Sequence, residues 1–222
     1  MSLGNIARRV LGRHFPRVGR AYRSLFVDLN KVAFSISPHI PMGAVIVDVG
    51  GGDGEPLNPL LSLRPDVTVK LIDPSSSVGQ LIAPDFIQRV QLHPGMSMED
   101  FSRRLGHRPE VILISDVVHH VPAEARRAFF MQLRTLAGGA DDQVRIIIKD
   151  VEPGHLRSTL GLLADRYISG DRATSLVGRA AMCALVASAF GAAVTLVESD
   201  LMRVDSPNYA LVFTYGGRGQ AG

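Results

Sequence analysis

The stretch Ala44-Val-Ile-Val-Asp-Val-Gly-Gly-Gly-Asp-Gly-Glu55 limits what this chain can fold into more than any other. It opens as a continuous apolar run rich in β-branched residues, the pattern of a strand buried on both faces, and then breaks into glycines. A buried strand therefore runs straight into a tight loop. Gly50, Gly52 and Gly54 alternate there, so the backbone can take positive φ and admit a ligand where a Cβ would otherwise stand.

Spacing and charge narrow the ligand. A G-x-G-x-x-G dinucleotide fingerprint starting at Gly50 needs glycine at position 55, which is Glu55. A phosphate loop needs Lys followed by Ser or Thr after its last glycine, and neither is present. Asp48, Asp53 and Glu55 surround the turn; such carboxylates repel a pyrophosphate and attract a cation. The expected ligand carries positive charge.

Asp48-Val-Gly50-Gly-Gly52-Asp-Gly54 resembles the E/D-x-G-x-G-x-G motif of the class I methyltransferases that use S-adenosylmethionine, a cofactor with a cationic amine and sulfonium. Three further stretches follow in that family's order. Val67 to Asp73 resembles its second strand, ending in the acid that takes the ribose hydroxyls. Glu110 to Pro122 resembles its fourth strand and the turn beyond it, and Arg145 to Asp150 its fifth. The resemblance covers residues 44 to 215 and implies an α/β fold: a doubly wound, mostly parallel seven-stranded sheet with helices on both faces and an antiparallel last strand. It implies an enzyme transferring a methyl group from S-adenosylmethionine, with cofactor contacts at Asp48, Gly50, Gly51, Gly52, Asp53, Gly54, Asp73, Pro74, Ser97, Met98 and Asp116.

The residues support that layout independently. Asp73 lies 25 positions beyond Asp48 at a strand end, near the separation at which a βαβ unit brings an acid to a ribose; the competing role is capping a helix near Pro74. Glu55 to Leu63 reads as a first helix with Pro56 in its first turn. Phe86 to Leu92 reads as the third strand, followed by Met96, Ser97 and Met98 where many family members place an acid for the adenine amine. Val144 to Lys149 is the fifth strand, Leu156 to Ile168 and Thr174 to Phe190 read as helices in an insertion spanning 156–190, and Ala193 to Ser199 pairs antiparallel with Asn208 to Tyr215.

Ligands of open α/β sheets sit beyond the carboxyl ends of strands, which places Asp116, His119 and His120 at the site. Either histidine is a candidate catalytic base for an acceptor hydroxyl, and packing or capping is the alternative. Methyl transfer also proceeds by holding donor and acceptor in line, so no base is obligatory. No metal is expected, because adjacent residues of a helix point about 100° apart and no third ligand stands at a telling spacing. His120, Asp150, Glu152, Arg166 and Tyr167 are the candidate acceptor contacts.

With 222 residues and 46% hydrophobic content, one domain with a sizeable core suffices. The single Cys183 sits in an apolar run and rules out an internal disulfide. No run is long enough to span a membrane, and the start lacks a signal peptide's apolar core, so a cytoplasmic protein is expected. Residues 1–43 hold seven Lys or Arg against one acid, a net +6, whereas the whole chain is only +3. This basic helical arm is expected to pack as a lid, with weak contact to the anionic inner membrane surface as a further possibility for its cations. Residues 216–222 read as a flexible tail.

The acceptor expected is a small molecule or glycan hydroxyl. No aromatic and basic array for reading bases is present, and Ser115-Asp-Val-Val-His-His stands where amino-group methyltransferases carry an Asn/Asp-Pro-Pro-Tyr/Phe signature. The alternatives are N-methylation and a non-catalytic cofactor-binding module of the same fold. The sequence does not fix the oligomeric state.

Overall fold

The computed structural model describes residues 27–139, 143–154, 174–199, 201–202 and 207–216. Seven strands form one sheet: β1 Val45–Val49, β2 Thr68–Asp73, β3 Val90–Pro94, β4 Val111–Ser115, β5 Val144–Val151, β6 Val194–Glu198 and β7 Asn208–Tyr215. Their spatial order is β3-β2-β1-β4-β5-β7-β6. The pairs from β3 through β5 are parallel, and β7 runs antiparallel to both β5 and β6. The sheet grows outward from β1 to β3 and then restarts at β4 on the other side of β1. That reversal opens a crevice at the carboxyl ends of β1 and β4, where open α/β sheets bind their ligands.

Five α-helices flank the sheet among the described residues: α1 Leu29–Ile36, α2 Leu57–Leu63, α3 Met98–Arg104, α4 Arg126–Ala137 and α5 Arg179–Phe190. Strand side chains alternate between faces, and the core divides accordingly. Val47, Val49, Ile112, Ile114, Ile146 and Ile148 pack under α3, α4 and α5. Ile46, Leu71, Leu113, Ile147 and Val212 pack under α1 and α2. This parity also decides where polar residues go. Asp48 and Lys149 share the α1/α2 face with their neighbours Ile46 and Ile147, whereas Asp150 shares the other face with Ile148.

The segment before β1 is integral to the first of these faces. Asp28 caps α1, its carboxylate accepting from the backbone of Asn30 and Lys31 at 3.1 Å. Val32, Ala33 and Ile36 are buried against the sheet. Arg64, just past α2, donates to the carbonyls of Ser37, Ile40 and Pro41 at 2.7–2.8 Å and pairs with Asp66. One guanidinium thus fastens the connection between α1 and β1.

Several element boundaries differ from the sequence expectation. Pro84–Arg89 is a 3₁₀ helix and β3 begins only at Val90, because Arg89 turns back to the carbonyls of Leu61 and Arg64 at 2.6 and 2.8 Å. The turn expected to end at Pro122 runs on through a 3₁₀ turn over Ala123–Ala125, and α4 starts only at Arg126. The helix expected from Thr174 starts at Arg179. Gly178 is extended there, and the Glu152 carboxylate receives the Arg179 backbone N–H at 3.1 Å, fixing the helix start.

Candidate functional site

The glycine loop leaves β1 at the crevice. Gly50 donates its N–H to the Ile72 carbonyl at 2.8 Å and adopts φ +71°; a Cβ there would meet Val117 at 2.8 Å. Gly51 has ordinary φ but no room: a Cβ would overlap the Asp48 carboxylate and come within 2.8 Å of Leu71. The loop is tied to the next strand through Asp73, whose two carboxylate oxygens accept from Gly52 N at 3.0 Å and Ser75 N at 2.7 Å. Asp73 caps a turn rather than a helix, and stays half-buried beside the loop with Pro74 exposed after it. Asp53 closes the far side, accepting from Glu55 N at 3.1 Å.

Asp48 is the unusual group of this loop. It is 3% exposed and lies in register between Leu71 of β2 and Leu113 of β4. No hydrogen bond reaches its carboxylate among the described residues. Burial, reinforced by the nearby Asp73 charge, pushes its pKa up to about 7. It lines a cavity of about 30 Å³ together with Gly51, Ser115, Lys149 and apolar residues of α1 and α2. A buried carboxylate without a partner is a place for a cation, and a glycine cradle beside it gives a ligand backbone access. These residues fit the cationic methionine end of S-adenosylmethionine: Asp48 and the loop would face it, and Asp73 the ribose.

Across the crevice, β4 ends in the turn Asp116 to Val121. Asp116 takes φ 58°, the only positive value at a non-glycine among the described residues, at a cost of roughly 1–2 kcal/mol. Its N–H donates to the Lys149 carbonyl at 2.9 Å, and Lys149 Nζ donates to both of its carboxylate oxygens at 2.6 Å. Lys149 itself is 1% exposed.

His119 and His120, which sequence leaves equivalent, are separated by the fold. His119 is 4% exposed, and its Nδ1 lies 2.5 Å from Asp150 Oδ1, which also accepts from Val151 N at 2.8 Å. Asp150 Oδ2 is buried without a hydrogen-bond partner. A carboxylate only accepts, so Nδ1 donates and the imidazole lone pair lies on Nε2. His120 is exposed, its ring centroid 4.2 Å from that of His119.

The third ligand-type residue that local spacing could not supply is Asp150, which the sheet brings to Asp116 and His119; ligand atoms of the three lie within 4.8 Å of one another. Lys149 already sets a positive charge on Asp116 there, and His119 engages Asp150, so the cluster is charge-compensated from within.

The remaining expected residues are placed as follows. Glu152 is engaged with Arg179, whose Nε lies 3.3 Å from it. Ser97 is exposed and caps α3, accepting from Asp100 N at 3.1 Å. Met98 is 6% exposed in the core, and Met96 is half-buried and packs against the same core cluster. Arg166 and Tyr167 lie outside the described residues. Two residues with no expected role close over His119: Ser175 N donates to the His119 carbonyl at 2.9 Å, and Arg126 holds Ser175 and the Val121 carbonyl. In the sequence, Lys149 is visible only as a cation following the apolar run Ile146–Ile148 of β5.

No protein-family model and no curated protein sequence matches the chain. Solved structures do. The mitomycin 7-O-methyltransferase MmcR superposes with a TM-score of 0.68 at 18% identity, covering 97% of this chain and 61% of its own. RosA from Streptomyces davawensis, an N,N-8-amino-8-demethyl-D-riboflavin dimethyltransferase, gives 0.65 at 17% over 94% and 59%. NcsB1, an O-methyltransferase from neocarzinostatin biosynthesis solved with S-adenosylmethionine and 2-hydroxy-5-methyl naphthoic acid, gives 0.61 at 18% over 93% and 58%. The chain spans about three-fifths of the length of these structures. The likeness is one of fold: the chain has the seven-stranded, mostly parallel sheet of the class I, S-adenosylmethionine-dependent methyltransferases.

Proposed function

We propose that this chain is an S-adenosylmethionine-dependent methyltransferase acting on a hydroxyl of a small molecule. Two observations carry the reading: the glycine loop after β1 with the buried acid Asp48 before it, packed through Gly50 against Val117 of the β4 turn, and the buried His119–Asp150 pair that starts in that same turn. S-adenosylmethionine, when bound, supplies an electrophilic methyl on sulfur. Asp48 offers negative charge to its cationic end, the glycine loop gives its backbone room, and Asp73 receives ribose hydroxyls with lone pairs not used by Gly52 and Ser75. Asp150 fixes the His119 tautomer, so Nε2 accepts the acceptor's hydroxyl proton as the methyl arrives. The resulting imidazolium is stabilised by the Asp150 carboxylate at 2.5 Å. α1 forms an apolar wall of the cavity that Asp48 and Gly51 line.

The test is transfer of a labelled methyl group from S-adenosylmethionine to a panel of small hydroxy-aromatic and glycan acceptors. Product that disappears in His119→Ala supports the reading; the same yield in that variant refutes the base assignment.

A second reading is favoured by the likeness to a dimethyltransferase of an amino group. An amine acceptor loses its proton more readily than a hydroxyl, so activity on amines that tolerates His119→Ala would favour N-methylation. For the basic arm, Arg8 to Arg23 lie outside the described residues, and weak binding to anionic membrane is proposed on charge alone. No helix among the described residues is long and apolar enough to cross a membrane. Co-sedimentation with anionic vesicles, with and without residues 1–26, tests that contact, and equal behaviour of the two chains refutes it.

A further inference from the structure

We propose that Lys149 is a positioning residue that sets the orientation of His119 through Asp116; this rests on reading His119 as the base. Lys149 and Asp150 are consecutive in β5, so their side chains leave opposite faces of the sheet. Lys149 reaches Asp116, the first residue of the turn beyond β4, with Nζ at 2.6 Å from both carboxylate oxygens. Asp150 reaches His119, near the end of the same turn, at 2.5 Å. One strand therefore holds both ends of the turn, by side chains on its two faces.

The first hold is double. Asp116 donates its N–H to the Lys149 carbonyl at 2.9 Å while its carboxylate takes the ammonium of the same residue. Asp116 needs this because its φ of 58° is a conformation that persists at a non-glycine only where the surroundings over-determine it. An ammonium 1% exposed is expensive to bury, and a bidentate pair fixes direction as well as distance. An apolar side chain would fill the space and leave the turn unspecified. Without the ammonium, Asp116 relaxes toward negative φ. The turn through Val117 then rotates away from Gly50, and His119 moves with it relative to Asp150.

The experiment uses the full chain labelled with ¹⁵N-histidine. Long-range ¹H–¹⁵N spectra report the tautomer of each imidazole, and His119→Gln assigns the signal. The wild type is expected to show a fixed Nδ1–H tautomer at His119. Lys149→Met is expected to lose it to the averaged tautomers of an unrestrained ring, with the fold retained by circular dichroism. Combining Lys149→Met with Asp116→Gly is expected to restore it, because glycine takes positive φ unaided; Lys149→Met with Asp116→Ala, which removes the stranded carboxylate but disfavours positive φ, is expected not to, and restoration there would overturn the proposal. Should Lys149→Met alone fail to fold, the double variants carry the test.

A folded Lys149→Met chain that keeps the wild-type tautomer overturns the proposal, as does a folded double variant with Asp116→Gly that lacks it. Calorimetry of the wild type with S-adenosylhomocysteine separates the two readings. Absence of binding there counts against methyl transfer and leaves the imidazole result standing.

Discussion

Replacing Asp48 by asparagine should make the ligand-free protein more stable at alkaline pH while weakening its hold on the cofactor. The carboxyl group has its folded pKa raised to about 7 by burial and by Asp73, against roughly 3.9 in an unfolded chain. The unfolded state therefore binds fewer protons than the folded state between these values, and stability from this group falls as pH rises. Below about pH 4 both states hold the proton and the penalty is absent; above about pH 7 it is complete. Three pH units correspond to about 4 kcal/mol, an upper figure because buried sites relax. Asparagine removes the charge but leaves a buried amide lacking partners, which costs about 1–3 kcal/mol. The charge term is the larger, so a net gain of roughly 1–3 kcal/mol is expected at pH 8, or several degrees in melting temperature for a domain of this size. Below about pH 4 the order reverses, since the wild-type group is then neutral in both states and the amide penalty remains. Thermal melts of both proteins from pH 3.5 to 8.5 read this crossing directly. The wild type should also release a proton when S-adenosylmethionine binds at pH 6.5, seen as a buffer-dependent heat, and the variant should not. Parallel pH profiles for the two proteins, or a variant less stable at pH 8, would refute the argument that Asp48 is a buried charge awaiting a cation.

Other substitutions separate the parts of the site. Gly51→Ala forces a Cβ into the Asp48 carboxylate and Leu71, so a loss of about 1–3 kcal/mol in chemical denaturation is expected together with weaker cofactor binding. His119→Ala should lower methyl transfer about 10²–10⁴-fold, whereas His120→Ala, at an exposed ring, should change the rate constant only a few-fold; equal losses would contradict the separation of the two. Arg64→Ala removes the bonds to Ser37, Ile40 and Pro41. Hydrogen exchange across residues 37–43 should quicken at least tenfold while β4 and β5 stay protected, and uniform exchange would show that the guanidinium does not fasten α1.

Much of this architecture can be read from the sequence because it is local. The β-branched run into Gly50, the acid Asp73 at the end of the next strand and the alternating run Asn208–Tyr215 each announce themselves within a dozen residues. Pro84–Arg89 was misleading for the same reason: Phe86 to Leu92 alternates like a strand, and only the reach of Arg89 to the end of α2 shows why its first half is 3₁₀. The site was less legible. His119 and His120 are identical to any reading of spacing, and their difference arises because Asp150, 31 positions away, lies on one particular face of β5. Lys149 pairs with Asp116 from 33 positions away, and no local pattern announces that a cation within β5 will be buried. Met98 shows the opposite case: its place after β3 made it a candidate cofactor contact, whereas it opens α3 and its side chain is buried in the core.

The most direct measurement is isothermal calorimetry of the full chain with S-adenosylhomocysteine, comparing wild type with Asp73→Ala. Saturable one-to-one binding by the wild type, weakened at least about tenfold when the Asp73 carboxylate is removed, is the expected result, given that hydrogen bonds to a charged group are worth about 1.5–3 kcal/mol. A folded wild type that gives no binding heat, or an affinity untouched by Asp73→Ala, would contradict a methyl-donor site at the glycine loop.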